Sequence, residues 1–335
     1  MKQQVDKAVI LVGGWGTRLR PLTYTVPKPL VSFCNKPILK YQIEKLVEVG
    51  VKQVILALNY YSDQIINEVS KYESEFDIEI LYSKEDEPLG TAGPLALVKE
   101  KLGNSSFFLL NADICCNAKL GDMKDAFMAS DCAGSILTYH VEDPSKYGLI
   151  HAKDNKIISF LEKPTSLKGK GPWMINAGMY ILSSEVFNYI ELREMSIEKE
   201  VFPVMAEQGK LDSFLFEGYW MDIGQPMDYI LGQKLTLEGM DESQEGLDTE
   251  NNVVLGKNVK IGTNCNLKNC SIFDNSIIED NVTIENSIVG WKSHIQVGAK
   301  ISNYSVLGEG TIVEKHSELS KEKTLPNTRF KKENK

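Results

Sequence analysis

The sequence predicts an α/β domain built on a mixed sheet, followed by a left-handed parallel β-helix of hexapeptide repeats. Three observations carry that expectation. Between residues 7 and 111, short aliphatic runs alternate with stretches of helical periodicity, the pattern of a mostly parallel sheet covered on both faces. After Ala133 the runs shorten and follow one another through turn residues, as antiparallel strands do. From Ile261 onward, aliphatic residues recur every six positions, the period of a coil whose sides each point one such residue inward.

The first run, KAVI at residues 7–10, continues through Leu11 and Val12 and reads as a buried strand. A glycine loop follows at once. Gly13, Gly14 and Gly16 allow a sharp turn and a close approach, leaving N–H groups to point at an anion. Arg18, Arg20 and Lys28 add cations, and Pro21, Pro27 and Pro29 keep the segment from becoming a helix. The combination suits a polyphosphate. A P-loop would need Gly-Lys-Ser/Thr after Gly16, which is absent, and the dinucleotide fingerprint G-x-G-x-x-G finds Leu19 at its third glycine.

Ile38, Leu39, Ile43, Leu46 and Val47 recur at helical spacing, and Gly50 is placed to stop that helix. A strand at 53–58, a helix to Tyr72, a strand at 78–83, a helix at 92–102 and a strand at 107–111 follow. Asp113 stands directly after this last strand, where a carboxylate either holds a divalent cation against phosphates or makes an Asx turn. Strands are then expected within 135–141, 147–152 and 156–164. Glu162 and Lys163 precede Pro164 and so belong to an element terminus, as a functional pair or a solvated edge. Ile197, Val201 and Met205 mark a helical scaffold over 196–209. Asp222 lies between Met221 and Ile223, before a glycine and a proline-led helix, as either a cap or a metal ligand.

Residues 241–250 read as an acidic linker after a domain of residues 1–240. The repeats occupy 251–318, with inward residues Ile261, Leu267 and Phe273, then Ile272, Ile278 and Ile284, then Val289, Ile295, Ile301, Leu307 and Val313. Their phase slips by one residue twice, and Asn, Gly and Asp crowd the corners, where left-handed backbone is needed. Residues 319–335 read as a polar tail.

The 335 residues, 42% apolar and 25% charged, carry a net charge of −9. That balance argues against nucleic acid or an anionic membrane as partner, so anionic ligands must be caught by local cation clusters. The first apolar run is too short for a signal peptide, no run approaches membrane-spanning length, and the six cysteines show no C-x-x-C spacing. Reduced thiols and a cytoplasmic location are the expectation.

Residues 11–30 closely resemble the signature of sugar-phosphate nucleotidyltransferases, G-G-x-G-T-R-L-x-P-L-T followed by P-K-P-L. The likeness extends through FCNKPILKYQIEKL, EPLGTAGPLAL, PSKYG, EKP, INAGMYIL, SIEKEVFP and WMDIGQP to SIVGWKS and SVLGEGTIV. Within the family it is nearest to the eukaryotic members that make GDP-mannose. The resemblance implies a Rossmann-like catalytic domain and the reaction of GTP with mannose 1-phosphate, giving GDP-mannose and pyrophosphate with Mg²⁺ as cofactor. It assigns Leu11, Gly13, Gly14, Gly16, Thr17, Arg18 and Lys28 to the nucleotide and Asp113 and Asp222 to the metal. Gly148, Glu162, Lys163 and Asn176 fall to the sugar phosphate, together with the two aspartates; Arg18, Lys28, Asp113, Lys163 and Asp222 form the catalytic set. Guanine presents N1–H and N2–H₂ donors, so an acidic acceptor beside EPLGTAG, Glu85 or Glu87, is the candidate reader, with Gly90 admitting the backbone.

Other readings are a regulatory paralogue without catalysis, or a nucleotidyltransferase for another nucleotide or hexose 1-phosphate. Hexapeptide coils also occur in acyltransferases, but no catalytic histidine is evident. The repeats carry no cluster of titratable groups, so assembly into a homo-oligomer, or with a regulatory paralogue, is their expected role. Cutting near Gly246 is then expected to leave the site chemically complete.

Overall fold

Strand β1 (Val5–Val12) is flanked on both sides by parallel neighbours, β2 (Gln53–Leu58) and β4 (Ser106–Asn111), and β3 (Glu79–Lys84) joins β2 in parallel. Val9 and Ile10 are fully buried, as an uninterrupted aliphatic run requires when both faces of its sheet are covered. Beyond β4 the sheet turns antiparallel. β8 (Trp173–Leu182) runs against β4 and against β5 (Gly134–Val141), while β6 (Gly148–Lys153) and β7 (Lys156–Glu162) form a hairpin. With β9 (Leu211–Leu215), parallel to β5, the nine strands stand in the order β3-β2-β1-β4-β8-β5-β9-β7-β6. The mixed sheet expected from sequence is therefore present.

The structure is a computed structural model that describes residues 4–59, 62–166, 169–240 and 244–331. It comprises two compact units: Met1–Gly14 with Tyr41–Trp220, and Trp15–Lys40 with Met221–Lys335. Helix α1 (Ile38–Glu48) starts at the first of its periodic apolar residues, directly after Lys36–Pro37, which pairs with Ser32–Phe33 as a short ribbon. α2 (Ser62–Phe76) outruns its expected end at Tyr72, and α3 (Gly93–Leu102) agrees with expectation. α4 (Leu120–Ala129) and β9 were not anticipated. Residues 196–209 are not one helix: a π-helical turn, Ile197–Val201, precedes α5 (Phe202–Glu207). Ile197, Val201 and Met205 are nonetheless fully buried beside Tyr180 and Phe202 in the core of this unit.

The second unit is built on α6 (Pro226–Leu237) and a ladder of short parallel strands. Lys260 pairs with Ile277, Ile277 with His294, His294 with Ile312 and Ile312 with Arg329. Each step is 17 or 18 residues, three six-residue sides with one residue sometimes omitted, and the omission is the source of the phase slips. Ile272, Ile278, Ile284, Val289, Ile295, Ile301, Leu307 and Val313 form the buried interior. Ile261, at the ladder's open start, is instead exposed. Asparagines 252, 258, 264, 269, 275, 281, 286 and 303 all have positive φ, a region where a short polar side chain is tolerated. Their amides stack from coil to coil, with Asn252 donating to Asn269 (3.3 Å) and Asn269 to Asn286 (3.1 Å).

The ladder does not stop at 318: Glu318–Ser320, Lys323–Thr324 and Arg329–Phe330 pair in parallel with the preceding coil, because Leu319 and Thr324 continue the inward positions. Residues 319–330 are thus coil, and not tail. The acidic stretch lies partly outside the described residues, and its later half carries a strand, Leu247–Asp248, antiparallel to Val253–Leu255.

The segment 15–40 is tied to α6 and this ladder at three points. Asn35 Nδ2 donates to the Leu255 carbonyl at 2.9 Å, the Tyr229 hydroxyl donates to the Ser32 carbonyl, and Lys323 Nζ donates to the Arg18 carbonyl at 3.4 Å. Tyr229 also meets Phe33 edge to face, with ring centroids 5.2 Å apart. A cut near Gly246 would keep every candidate site residue in the fragment but remove two of those anchors, the Leu255 carbonyl and Lys323.

Candidate active site

Gly13 and Asp113 follow β1 and β4, adjacent parallel strands with Leu11 opposite Asn111. Both therefore lie at the carboxyl edge of the sheet, where open α/β folds place ligands. A side chain at Gly13 would lie 3.8 Å from Glu85 Oε1, so the glycine loop and this glutamate meet. Glu85 follows β3, its Oε2 accepts the Leu89 N–H at 2.9 Å, and burial raises its pKa against that stabilising bond. Gly90 has a packing reason of its own. At φ +74° its missing side chain leaves room for the Met195 carbonyl, which a Cβ would meet at 2.5 Å. Gly93 likewise makes way for the Arg193 carbonyl.

A second group gathers around β7 and β8. Gly148 pairs with Glu162 across the hairpin, and a Cβ there would lie 3.0 Å from Glu162 Oε2. Glu162 is pushed up by burial first and then by the facing Glu198, with Lys163 at 3.5 Å opposing the shift. Lys163 stands at φ +46°, a left-handed conformation that places a well-exposed ammonium beside that carboxylate. The register of β8 against β5 breaks between Asn176 and Tyr180. In that break Asn176 Oδ1 accepts the Gly178 N–H at 2.9 Å, and its Nδ2 donates to the Tyr180 hydroxyl at 2.8 Å. Gly178, at φ +76°, clears the space taken by the Asn111 amide.

Glu198, Thr91 and Tyr180 were not singled out from sequence. Glu198 accepts hydroxyl hydrogens from Thr91 (2.6 Å) and Ser196 (2.8 Å), and burial with the Glu198 charge holds the Tyr180 phenol well above its ordinary range. The available signal was a charged pair, Glu198 and Lys199, inside a segment otherwise read as scaffold.

The remaining candidates belong to the second unit. Gly16 is left-handed (φ +61°), and a Cβ would come within 2.8 Å of Lys28 Cβ and 2.9 Å of Thr23 Cγ2. The glycine thus packs the turn onto Lys28, which is 8% exposed. Thr17 and Arg18 lie in a single 3₁₀ turn, Thr17–Leu19, and further short turns at Leu22–Tyr24 and Lys28–Leu30 follow the prolines. Arg18 Nη2 lies 3.5 Å from Asp222 Oδ2, so a candidate phosphate cation faces a candidate metal ligand. Gly224 makes the room: its Cβ would fall 2.6 Å from Arg18 Nη2.

Among the described residues, no three of His, Cys, Asp and Glu gather as a cation cage. Asp113 and Asp222 each carry hard carboxylate oxygens, the donor type that suits a divalent ion such as Mg²⁺. Among the described residues no helix is long and apolar enough to cross a membrane.

A nucleotidyl transferase family model matches residues 7–239, and a model described as the GMPPB C-terminal domain matches 243–335. The chain belongs to the nucleotidyl transferase family. A Xenopus laevis protein named mannose-1-phosphate guanyltransferase beta-B is 42% identical over 347 residues, covering 96% of both chains. A Candida albicans mannose-1-phosphate guanyltransferase is 41% identical, again over 96% of each. The crystal structure of HddC from Yersinia pseudotuberculosis complexed with GMP-PN aligns with a TM-score of 0.56 at 32% identity, covering 68% of this nucleotidyl transferase and 98% of HddC. The glycine loop, the Arg18 turn and the carboxylates described above all lie within the matched family region.

Proposed function

We propose that this nucleotidyltransferase moves a guanylyl group from GTP to mannose 1-phosphate, giving GDP-mannose and pyrophosphate. The observation that carries the reading is the agreement, over 96% of the chain, with mannose-1-phosphate guanyltransferases. A phosphate oxygen of the sugar phosphate attacks the α-phosphorus in line; the new P–O bond forms as the bond to the β-phosphate oxygen breaks. No protein nucleophile is needed, so the chain contributes position and charge. Lys163 holds the attacking phosphate, with Gly148, Glu162 and Asn176 on the sugar. Leu11, Gly13, Gly14, Gly16 and Thr17 approach the nucleotide by backbone, Arg18 and Lys28 take up charge on the departing pyrophosphate, and Glu85, with Gly90 behind its turn, accepts the guanine donors. Asp113 and Asp222 would hold Mg²⁺, which supplies neutralisation of phosphate charge.

The carboxy-terminal region is a left-handed hexapeptide helix after a catalytic domain ending near residue 240, and the 17- and 18-residue strand steps support its three-sided repeat. A homo-oligomer, alone or with a regulatory paralogue, and a cytoplasmic site of action complete the proposal. Pyrophosphate release across nucleoside triphosphates crossed with hexose 1-phosphates tests it. GTP with mannose 1-phosphate should lead; equal rates with ATP, or a preference for another sugar, would overturn the assignment.

A further inference from the structure

We propose that Lys323, on the late coils of the carboxy-terminal ladder, is a positioning residue for the turn that carries Arg18. The inference rests on the reading of that turn as the polyphosphate site. Its ammonium donates to the Arg18 carbonyl at 3.4 Å, across 305 residues of sequence. The turn itself is slight, closed by Leu19 N–H to Gly16 O (3.0 Å) and Arg20 N–H to Thr17 O (3.3 Å). Its side-chain end is held by Asp222 above Gly224, and its backbone end by Lys323.

Lys323 stands on a firm base. Its strand pairs in parallel with Val306–Leu307, and its neighbour Thr324 binds the Gly308 N–H at 3.2 Å and the Thr311 hydroxyl at 2.9 Å. The ammonium also adds positive charge at the turn that carries the Arg18 guanidinium, where a polyphosphate would benefit. The ladder thus sets where Arg18 sits.

The test uses the full chain carrying Lys323→Met, Lys323→Arg or Lys321→Met, the last being a lysine two positions earlier on the same coil. KM is measured separately for GTP and mannose 1-phosphate, and binding of inorganic pyrophosphate is measured by calorimetry. Lys323→Met should raise the GTP KM and weaken pyrophosphate binding by about three- to tenfold, the range of one lost hydrogen bond. The sugar-phosphate KM and the melting temperature should hold, Lys323→Arg should restore most of the loss, and Lys321→Met should match wild type. Wild-type values for Lys323→Met, an equal effect of Lys321→Met, or a parallel rise in both KM values would overturn the assignment. The calorimetric arm reads Lys323 even if guanylyl transfer itself is not found.

Discussion

Arg18 and Asp222 form an ion pair at 3.5 Å, and Gly224 leaves the space in which the guanidinium lies. A methyl group at 224 would sit 2.6 Å from Nη2 and displace it. Gly224→Ala should therefore raise the GTP KM about three- to tenfold with little change in melting temperature. Asp222→Asn removes both the partner of Arg18 and a candidate metal ligand, and should lower turnover by about 10²-fold or more. Steady-state pyrophosphate release measures both; near-normal turnover in Asp222→Asn would take this carboxylate out of the site.

Glu85 meets the glycine loop while its Oε2 is fixed by the Leu89 N–H. Glu85→Gln can keep that bond through its amide oxygen yet loses the charge that guanine donors favour. The ratio of kcat/KM for GTP over ATP should fall about tenfold or more. An unchanged ratio would shift the role to Glu87.

Glu162 is a carboxyl whose folded pKa is raised, chiefly by burial and then by Glu198. The folded state binds its proton more tightly than the unfolded chain, so its contribution is full below the unfolded pKa and is lost as pH rises through the folded value. At neutral pH this group works against folding. Glu162→Gln should raise the melting temperature at pH 7 by about 1–3 °C while weakening mannose 1-phosphate use, and the gain should vanish near pH 4. A lower melting temperature at pH 7 would show that the Lys163 pair outweighs burial.

Much of this is legible in sequence. The cores of β1, β2 and β4 (residues 8–12, 54–58 and 107–110) are apolar because both sheet faces are covered, and Gly13, Asp113 and Glu162 read as strand-end residues, as the strands' limits bear out. β9 escaped because its inward positions pair Leu211 with Ser213, a small hydroxyl that bonds the Asn155 carbonyl and breaks the apolar alternation. Gly90 reads in sequence as a ligand-approach glycine, and it also accommodates the Met195 carbonyl, a partner no local motif announces; Gly93 does the same for the Arg193 carbonyl. The Glu198 network was hidden for the same reason: Thr91 and Glu198 are 107 residues apart.

Gln233 is fully buried on α6, and Nε2 donates to the carbonyl and side chain of Asn252 and to the Cys270 carbonyl, while Oε1 accepts from Ser271 at 2.8 Å. Truncation strands several buried polar groups at once. Gln233→Ala should lower stability by about 2–4 kcal/mol, read by urea unfolding of the full chain. A change below about 0.5 kcal/mol would mean that water replaces the amide.

The stacked asparagine amides impose arithmetic on the ladder. Asn252, Asn269 and Asn286 stay in one column only while successive coils keep their 17-residue offset. The length of this region is therefore quantised. Excising residues 274–290, one whole tier, would bring aliphatic sides and amide columns back into line. Excising one residue fewer would rotate every later corner out of alignment, and either excision would shift Lys323 by one strand spacing, roughly 4.8 Å, from the Arg18 carbonyl, so a change in length becomes a change in the turn that carries Arg18.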